Sequence, residues 1–237
     1  MFDPIPKNLN RAEYWANFIN QRDISSVAEL GVYKGCFANY LLNSCENISE
    51  YYLIDPWKKL DDWNKPFNFK LDFDDVYKEA INNIKGFEHK YKILRGRTTE
   101  VIDKIPDNSL DFAYIDGDHT LKGITLDLIR ILPKMKLGSF IGLDDFVNPL
   151  QHGINYELTL VDPFALYFAE ANQFPCAKLG KNQFCIYVDR NKFFSFTNFV
   201  DMQESNSYPD IMSRIRKSMY SKKNILRKII ATFKSNI

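Results

Sequence analysis

Acidic side chains and a histidine follow two apolar runs of the chain, at the points where the runs end. The run LDFAYI (110–115) and the run SFIGL (139–143) have the length of buried strands, and a helical period of apolar residues separates them. The polar residues that follow the two runs are Asp116, Asp118, His119, Asp144 and Asp145. A right-handed helical crossover makes two such strands parallel, so we expect these side chains to meet at one edge of a sheet.

Four carboxylates at one edge repel each other unless a positive charge compensates them. A hard divalent cation with oxygen ligands is one solution, and three carboxylates with water suit Mg²⁺ or Mn²⁺. The competing interpretation makes Asp118 and Asp144 helix N-caps and leaves the other carboxylates solvated. His119 has two interpretations of equal weight, a general base near neutral pH or a cap on the following helix.

A second candidate site lies near the start of the chain, in the stretch AELGVYKG (28–35). Gly31 and Gly35 stand between an apolar run and a helical pattern, where glycine allows a tight turn and close approach to a ligand. Asp55 ends the next apolar run, where a Rossmann-type site places an acid on ribose hydroxyls. The alternatives are an ordinary strand-to-helix turn and a cap before Pro56.

Elements that alternate along the chain must position these residues. Five strand patterns alternate with helical patterns, which predicts an α/β fold with a doubly wound, mostly parallel sheet. The stretch CAKLGKNQFCIYVD (176–189) predicts a closing antiparallel hairpin. Residues 10–22 predict an amphipathic lead-in helix. We divide the chain into a lead-in at 1–24, a domain at 25–190 and an aromatic segment with a basic tail at 191–237.

Charge and cysteine usage bound the function further. The net charge of +1 hides a tail, 211–237, with eight basic residues and no acid, which leaves 23 basic against 30 acidic residues in 1–210. The four cysteines form no CxxC pair, and no stretch reaches the ~20 apolar residues of a membrane span. We therefore expect a cytoplasmic protein.

Two segments remain open between a functional and a structural interpretation. The aromatic loop 57–72, with Trp57, Trp63, Phe67 and Phe69, could line an acceptor site or could be a packed insertion or dimer contact. The basic tail 211–237 has a helical apolar stripe, and we favour its packing on the body or on a second subunit. Binding to nucleic acid or to an anionic membrane surface is the less favoured alternative.

Several of these motifs together resemble class I S-adenosylmethionine-dependent methyltransferases. They are Glu29, Gly31, Gly35, Asp55, the stretch YIDGDHTLKGITLDLIRILPKMKLGSFIGLDDF (114–146) and the closing hairpin. The closer resemblance is to the family-24 methyltransferase domains, which include relatives of metal-dependent sugar O-methyltransferases. It covers about residues 25–190. The acid-bearing stretch is the specific part, whereas the glycine motif alone is not.

The resemblance implies a Rossmann-like sheet of seven strands with S-adenosylmethionine over the first two. The implied cofactor contacts are Glu29, Gly31, Gly35, Asp55, Gly96, Arg97 and Asp116. The implied ligands of a divalent cation, Mg²⁺ or another, are Asp116, Asp144 and Asp145. Asp118 would be the base on the acceptor hydroxyl, with His119 as its rival or helper. Arg97 departs from the family pattern, where a small or acidic residue is commoner.

The expected function is methylation of a hydroxyl on a sugar or small polyol, assisted by a divalent metal ion. A metal-independent methyltransferase acting on an amine or on nucleic acid is the alternative from the same family. A scaffold that binds the cofactor without catalysis is the alternative from another class. A homo-oligomer is an open possibility for any of the three.

Overall fold

The described part of the chain alternates strands and helices. The computed structural model describes residues 1–60, 71–146 and 161–200. Its helices are α1 (Arg11–Asn20), α2 (Cys36–Ser44), α3 (Phe73–Asn83), α4 (Thr98–Val101), α5 (Leu121–Ile131) and α6 (Val161–Ala171). Its strands are β1 (Ser26–Leu30), β2 (Glu50–Asp55), β3 (Tyr91–Arg95), β4 (Leu110–Ile115), β5 (Met135–Leu143), β6 (Cys176–Gly180), β7 (Gln183–Val188) and β8 (Phe196–Asn198).

The strands form one sheet in the order β3-β2-β1-β4-β5-β7-β6-β8. Strands β3, β2, β1, β4 and β5 pair in parallel, and β7 runs antiparallel to both β5 and β6. The doubly wound, mostly parallel sheet and its closing hairpin are therefore confirmed. Since β1, β2, β4 and β5 are parallel, their carboxyl ends share one edge, and the order reverses between β1 and β4.

The described residues contain one strand more than the seven expected. The additional strand, β8, pairs in parallel with β6 through Cys176 and Phe196 at its first register position. It has three residues, which is too short to show the alternating pattern by which strands are recognised in a sequence.

Helix α1 covers one face of the sheet beside β4 and β5. Asn10 caps it and forms a capping box with Glu13, which fixes where the helix begins. Trp15 is fully buried, with its ring centroid 5.1 Å from that of Phe112. A Cβ on Gly142 would lie 2.9 Å from the Trp15 ring, so the glycine of β5 makes room for the indole. This packing holds Arg11, the first residue of α1, above the ends of β4 and β5.

Helix α5 makes the crossover between β4 and β5 that the sequence predicted. The Thr120 hydroxyl accepts the N–H of Gly123 at 3.0 Å and caps the helix. Ile124, Leu128 and Ile131 form its buried stripe. The crossover brings Ile115 opposite Leu143, so the two acidic segments leave the sheet side by side.

Some predictions fall outside the described residues. Positions 61–70, which include Trp63, Phe67 and Phe69, and the basic tail 211–237 lie outside them, and the domain limits stay predictions. Trp57 is described and is 1% exposed, with its indole N–H donating to the carbonyl oxygen of Tyr33. It belongs to the core, as the packed-insertion interpretation requires for this residue.

No helix in the described ranges combines the length and the apolar character that crossing a membrane requires.

Candidate functional site

The loop from β1 to α2 lies at the carboxyl edge of the sheet and is shaped by glycine. Gly31 has a φ of +93°, and a Cβ there would lie 2.3 Å from the carbonyl oxygen of Asp116. A side chain at Gly31 would therefore collide with the segment that leaves β4. Gly35 follows as the N-cap of α2. The glycine loop and the first acidic segment are thus in direct contact.

Asp55 ends β2, and its carboxylate organises the same loop. Oδ2 accepts the backbone N–H groups of Val32 and Tyr33 at 3.0 and 2.9 Å, and Oδ1 accepts that of Trp57 at 2.7 Å. The side chain is 4% exposed and lines the adjoining cleft. Asp55 lies where the sequence places it, and its described hydrogen bonds orient the glycine loop.

A cleft opens between the ends of β2 and β4 and helix α5. Its apolar lining includes Leu30, Ile54, Pro56 and Leu126, and its polar lining includes Asp55, Thr98, Asp118 and Asp127. Gly31, Gly96 and Arg97 also line it. A Cβ on Gly96 would lie 2.6 Å from a methyl carbon of Val101, so the turn after β3 is closely packed. Apolar walls with a few polar groups are typical of a site for a small organic ligand.

Asp127 is a cleft residue that the sequence prediction missed. It lies on α5, is 8% exposed and shares a hydrogen bond with the side chain of Thr98. Burial raises the pKa of Asp127 to about 7. A carboxyl group that is half protonated near neutral pH can both donate and accept a hydrogen bond. The available signal was an acid on the buried stripe of an amphipathic helix.

Asp118 lies on the cleft side of the first acidic segment. Its Oδ1 accepts the N–H of Thr120 at 3.0 Å. A Cβ on Gly123 would lie 2.3 Å from the Asp118 carboxyl carbon, so the side chain rests on the first turn of α5. This is the hydrogen bond of a local turn, and the N-cap of α5 is Thr120 rather than Asp118.

His119 lies between two carboxylates from different segments. Its Nδ1 is 2.9 Å from Oδ2 of Asp145, and its Nε2 is 3.5 Å from Oδ1 of Asp116. The residue is 5% exposed. We call Asp116, His119, Asp144 and Asp145 the carboxylate cluster. The structure brings together the two acidic segments that the crossover argument predicted would meet.

Asp144 is held from inside the protein. Its Oδ1 accepts the side-chain amide of Gln183 at 2.5 Å and the N–H of Asp145 at 2.8 Å. Gln183 is fully buried, and its Oε1 accepts from the Trp15 indole at 2.9 Å and from the Tyr114 hydroxyl at 2.8 Å. This network joins α1, β4 and β7 to the carboxylate cluster.

Arg11 is the second site residue that the sequence prediction missed. Its Nη1 lies 3.0 Å from Oδ2 of Asp116 and also contacts Oδ2 of Asp144. The guanidinium carbon lies 5.7 Å from the ring centroid of Phe37 and 6.0 Å from that of Tyr114. The two carboxylates are 105 and 133 positions away along the chain, so no local motif points to this contact.

Glu29 lies beneath the glycine loop. It is 2% exposed, and its Oε2 accepts the hydroxyl of Tyr51 at 2.7 Å. Burial raises the pKa of Glu29 to about 8. The residue belongs to the packed face between the sheet and its helices.

The cleft and the glycine loop fit the adenosine and methionine parts of S-adenosylmethionine. The fit is supported by the backbone at Gly31, where a Cβ would fill the space beside the cleft, and by the carboxylate of Asp55 next to it. Gly31, Asp55, Gly96 and Arg97 are the predicted cofactor residues that line the cleft.

The predicted metal ligands do not fit a divalent cation as they are arranged. Among the described residues, no group of three or more His, Cys, Asp or Glu side chains is placed to hold a metal ion. The guanidinium of Arg11 lies between Asp116 and Asp144, and both oxygens of Asp144 are in contact with protein donors. A metal ion would have to displace the guanidinium.

Comparison with known families gives one match over half of the chain. The family-24 model, described as "Methyltransferase domain", matches residues 28–146. An uncharacterised protein of Sinorhizobium fredii is 22% identical over 152 residues, which is 64% of this chain. The chain spans 16% of that relative's length.

Solved structures share the fold at low identity. A putative caffeoyl-CoA O-methyltransferase from Staphylococcus aureus has a TM-score of 0.58 at 12% identity, covering 79% of this chain and 86% of its own. An O-methyltransferase from Bacillus cereus in complex with SAH has a TM-score of 0.55 at 12% identity, with 78% and 84% covered. The O-methyltransferase TomG from Streptomyces achromogenes, in complex with SAM, has a TM-score of 0.55 at 11% identity, with 76% and 79% covered.

Proposed function

Since the chain belongs to the family-24 methyltransferase domains, we propose that it is an S-adenosylmethionine-dependent O-methyltransferase acting on a hydroxyl group of a small molecule. One observation carries the proposal. The Gly31 loop, expected to hold the cofactor, touches the segment that carries Asp116 and His119. A methyl donor in the cleft would therefore lie beside a group able to accept a proton.

The cofactor, when bound, supplies a methyl group on a positively charged sulfur. On this proposal Gly31 and Gly35 allow the backbone to approach its methionine part, and Asp55 meets the ribose hydroxyls. Gly96 and Arg97 lie on the adenine side, with Asp127 as a further polar group there. Asp116 stands between the cofactor loop and the acceptor.

His119 is the base that the geometry supports best. With Nδ1–H donating to Asp145 at 2.9 Å, Nε2 carries the lone pair that takes the proton of the acceptor hydroxyl. Asp145 orients the ring and stabilises the imidazolium that forms. The acceptor oxygen gains the methyl group as its proton passes to Nε2, so charge does not build up on the oxygen. Asp118, whose side chain rests on the first turn of α5 and accepts the N–H of Thr120, supports the cleft instead.

The acceptor that we propose is a sugar or small polyol. Carboxylate oxygens of Asp116 and Asp145 accept hydrogen bonds, and the Arg11 guanidinium donates them, which suits neighbouring hydroxyl groups. These groups come from three separate segments around one imidazole.

Metal assistance does not enter this proposal. The positive charge that the predicted ligands need is supplied by Arg11 in the described arrangement. The mechanism above therefore uses side chains of this chain only, and the predicted divalent cation stays a prediction that can be tested separately.

The test combines cofactor binding with methyl transfer. S-adenosylhomocysteine binding is measured by calorimetry, and transfer of a labelled methyl group is measured against a panel of sugars, polyols, catechols and amines. His119→Gln should lower the rate by about 10²–10⁴-fold and leave cofactor affinity unchanged. His89→Gln, at an exposed position, is the matched control.

Three outcomes would overturn parts of the proposal. Absence of S-adenosylhomocysteine binding would refute the methyltransferase assignment. Activity confined to amines would refute the hydroxyl acceptor. Full activity of His119→Gln would refute the base.

A further inference from the structure

Arg11 lies where the sequence predicts a metal ion. One nitrogen, Nη1, contacts both Asp116 and Asp144, which are two of the three predicted ligands. A cation shared by two carboxylates would sit at the same point between them. Guanidinium and a divalent ion cannot both occupy it.

The other carboxylate oxygens around this point, which could ligate a metal ion, already contact protein groups. Oδ1 of Asp144 takes two hydrogen bonds, from Gln183 and from the N–H of Asp145, while Oδ2 faces Arg11. Oδ2 of Asp145 faces Nδ1 of His119. A divalent ion needs several oxygens at about 2.0–2.6 Å, so it would have to break contacts on each of these side chains.

The position of Arg11 is built into the fold. It begins a capped helix, and Trp15, one turn further on, is buried and donates to Gln183, which also holds Asp144. The guanidinium lies near the faces of the Phe37 and Tyr114 rings, which favour a cation. Helix and carboxylate are therefore fixed to each other by the same buried amide.

We propose that the Arg11 guanidinium is the built-in cation of this site and takes the place of the divalent metal ion predicted from the family resemblance. The inference rests on the proposed function for the identity of the site. It makes cofactor binding and methyl transfer independent of divalent metal, and it predicts that removing Arg11 creates a metal site.

Manganese binding tests the proposal directly. The electron paramagnetic resonance signal of free Mn²⁺ falls as the ion binds, so binding is measured without any enzyme assay. Wild-type protein should show no saturable binding of Mn²⁺ up to about 1 mM, the weak end of protein sites for hard cations. Arg11→Gln should bind Mn²⁺ at least ~10-fold more tightly, because a like charge at the site has been removed. Arg11→Gln combined with Asp144→Asn should lose the gained binding.

Matched variants separate the site from general effects. Arg22→Gln removes the same charge from a residue just after α1 that contacts Phe18 and the first residues of the chain, and it should behave like wild type. Arg11→Met keeps an unbranched apolar stem over the two rings and should gain Mn²⁺ binding as Arg11→Gln does. It provides the test if Arg11→Gln melts at a much lower temperature.

Two results would overturn the proposal. One is saturable Mn²⁺ binding to the wild type that Asp144→Asn abolishes. The other is no gain of Mn²⁺ binding in a folded Arg11 variant. S-adenosylhomocysteine affinity, measured on the same samples with and without EDTA, reports the proposed function independently, so failure of one is distinguishable from failure of the other.

Discussion

The cleft and the carboxylate cluster lie at the same edge of the sheet but are held in different ways. The glycine loop of the cleft directly follows β1, and Asp55 at the end of β2 accepts backbone N–H groups within two residues of itself or in that loop. The carboxylate cluster is held by Arg11 and Gln183. Arg11 begins α1, before the first strand, and Gln183 begins β7, near the end of the sheet in sequence order. A local motif builds the first region, whereas long-range contacts neutralise and fix the second.

This contrast predicts that the two regions respond differently to substitution. A change in the cleft should act through the backbone of one loop. A change in the carboxylate cluster should act through buried hydrogen bonds and charge that link α1 to β7.

Gly31→Ala should have the largest effect, because its Cβ would lie 2.3 Å from a backbone oxygen. The displaced loop should lower S-adenosylhomocysteine affinity, and because a misplacement of about 1 Å can cost ~100-fold in rate, methyl transfer should fall by about that factor. Gly86→Ala is the control, since its φ is +97° but an added Cβ would meet no heavy atom of the described residues within 4 Å. Equal affinities for the two variants would contradict a role for the close approach.

Gln183→Leu should destabilise the fold, because the Trp15 indole and the Tyr114 hydroxyl would lose their buried acceptor. Each unsatisfied group costs about 1–3 kcal/mol, so the loss of the acceptor for both should lower the free energy of unfolding by about 2–6 kcal/mol. Urea denaturation measures it. Gln21→Leu, on the exposed end of α1, should stay within about 0.5 kcal/mol of wild type. A similarly small loss in Gln183→Leu would argue against the network.

Glu29→Gln should change how stability depends on pH. The pKa of Glu29 is raised to about 8 by burial, so the unfolded chain releases this proton at lower pH than the folded protein does. Wild-type stability should therefore fall, relative to Glu29→Gln, as pH rises from about 4.5 to 8, at about 1.4 kcal/mol per unit of pKa difference.

Thermal melting of both proteins across that range checks the prediction, with the exposed Glu46→Gln as the control. Parallel pH profiles for wild type and Glu29→Gln would mean that Glu29 is ionised in the folded protein.

Asp127→Asn should give the smaller pH effect, on the cleft side. Its pKa is raised to about 7 by burial, so its stabilising contribution is present at low pH and is lost as pH rises through 7. Replacement by the neutral amide should flatten the profile between about pH 4, near the ordinary pKa of an Asp, and pH 7. If Asp127 also contacts adenine, the pH dependence of S-adenosylhomocysteine affinity should flatten with it. Asp23→Asn, at an exposed position, should leave both profiles as in wild type.

Features of the site that depend on a few neighbouring residues could be predicted from the sequence, whereas features that depend on distant residues could not. The positions of Gly31 and Asp55 at the carboxyl edge could be predicted because each directly follows or ends a short apolar run, which is a local pattern. The proximity of Asp116 and Asp145 could be predicted because a right-handed helical crossover makes β4 and β5 parallel. Strand β8 was missed because three residues are too few to show the alternation of apolar and polar residues that marks a strand. Asp127 was missed because a single acid on an amphipathic helix is not distinguished from a solvated one by sequence alone.

The sequence alone determined the alternation of elements, the parallel sheet, its closing hairpin and the edge at which the acidic residues gather. These follow from hydrophobic periodicity and from the handedness of the chain, which are local properties. Only the tertiary structure decided what neutralises the carboxylates. Arg11 reaches Asp144 because α1 packs Trp15 on the sheet over Gly142 and against Gln183, and such side-chain packing between distant segments has no signature in any one of them.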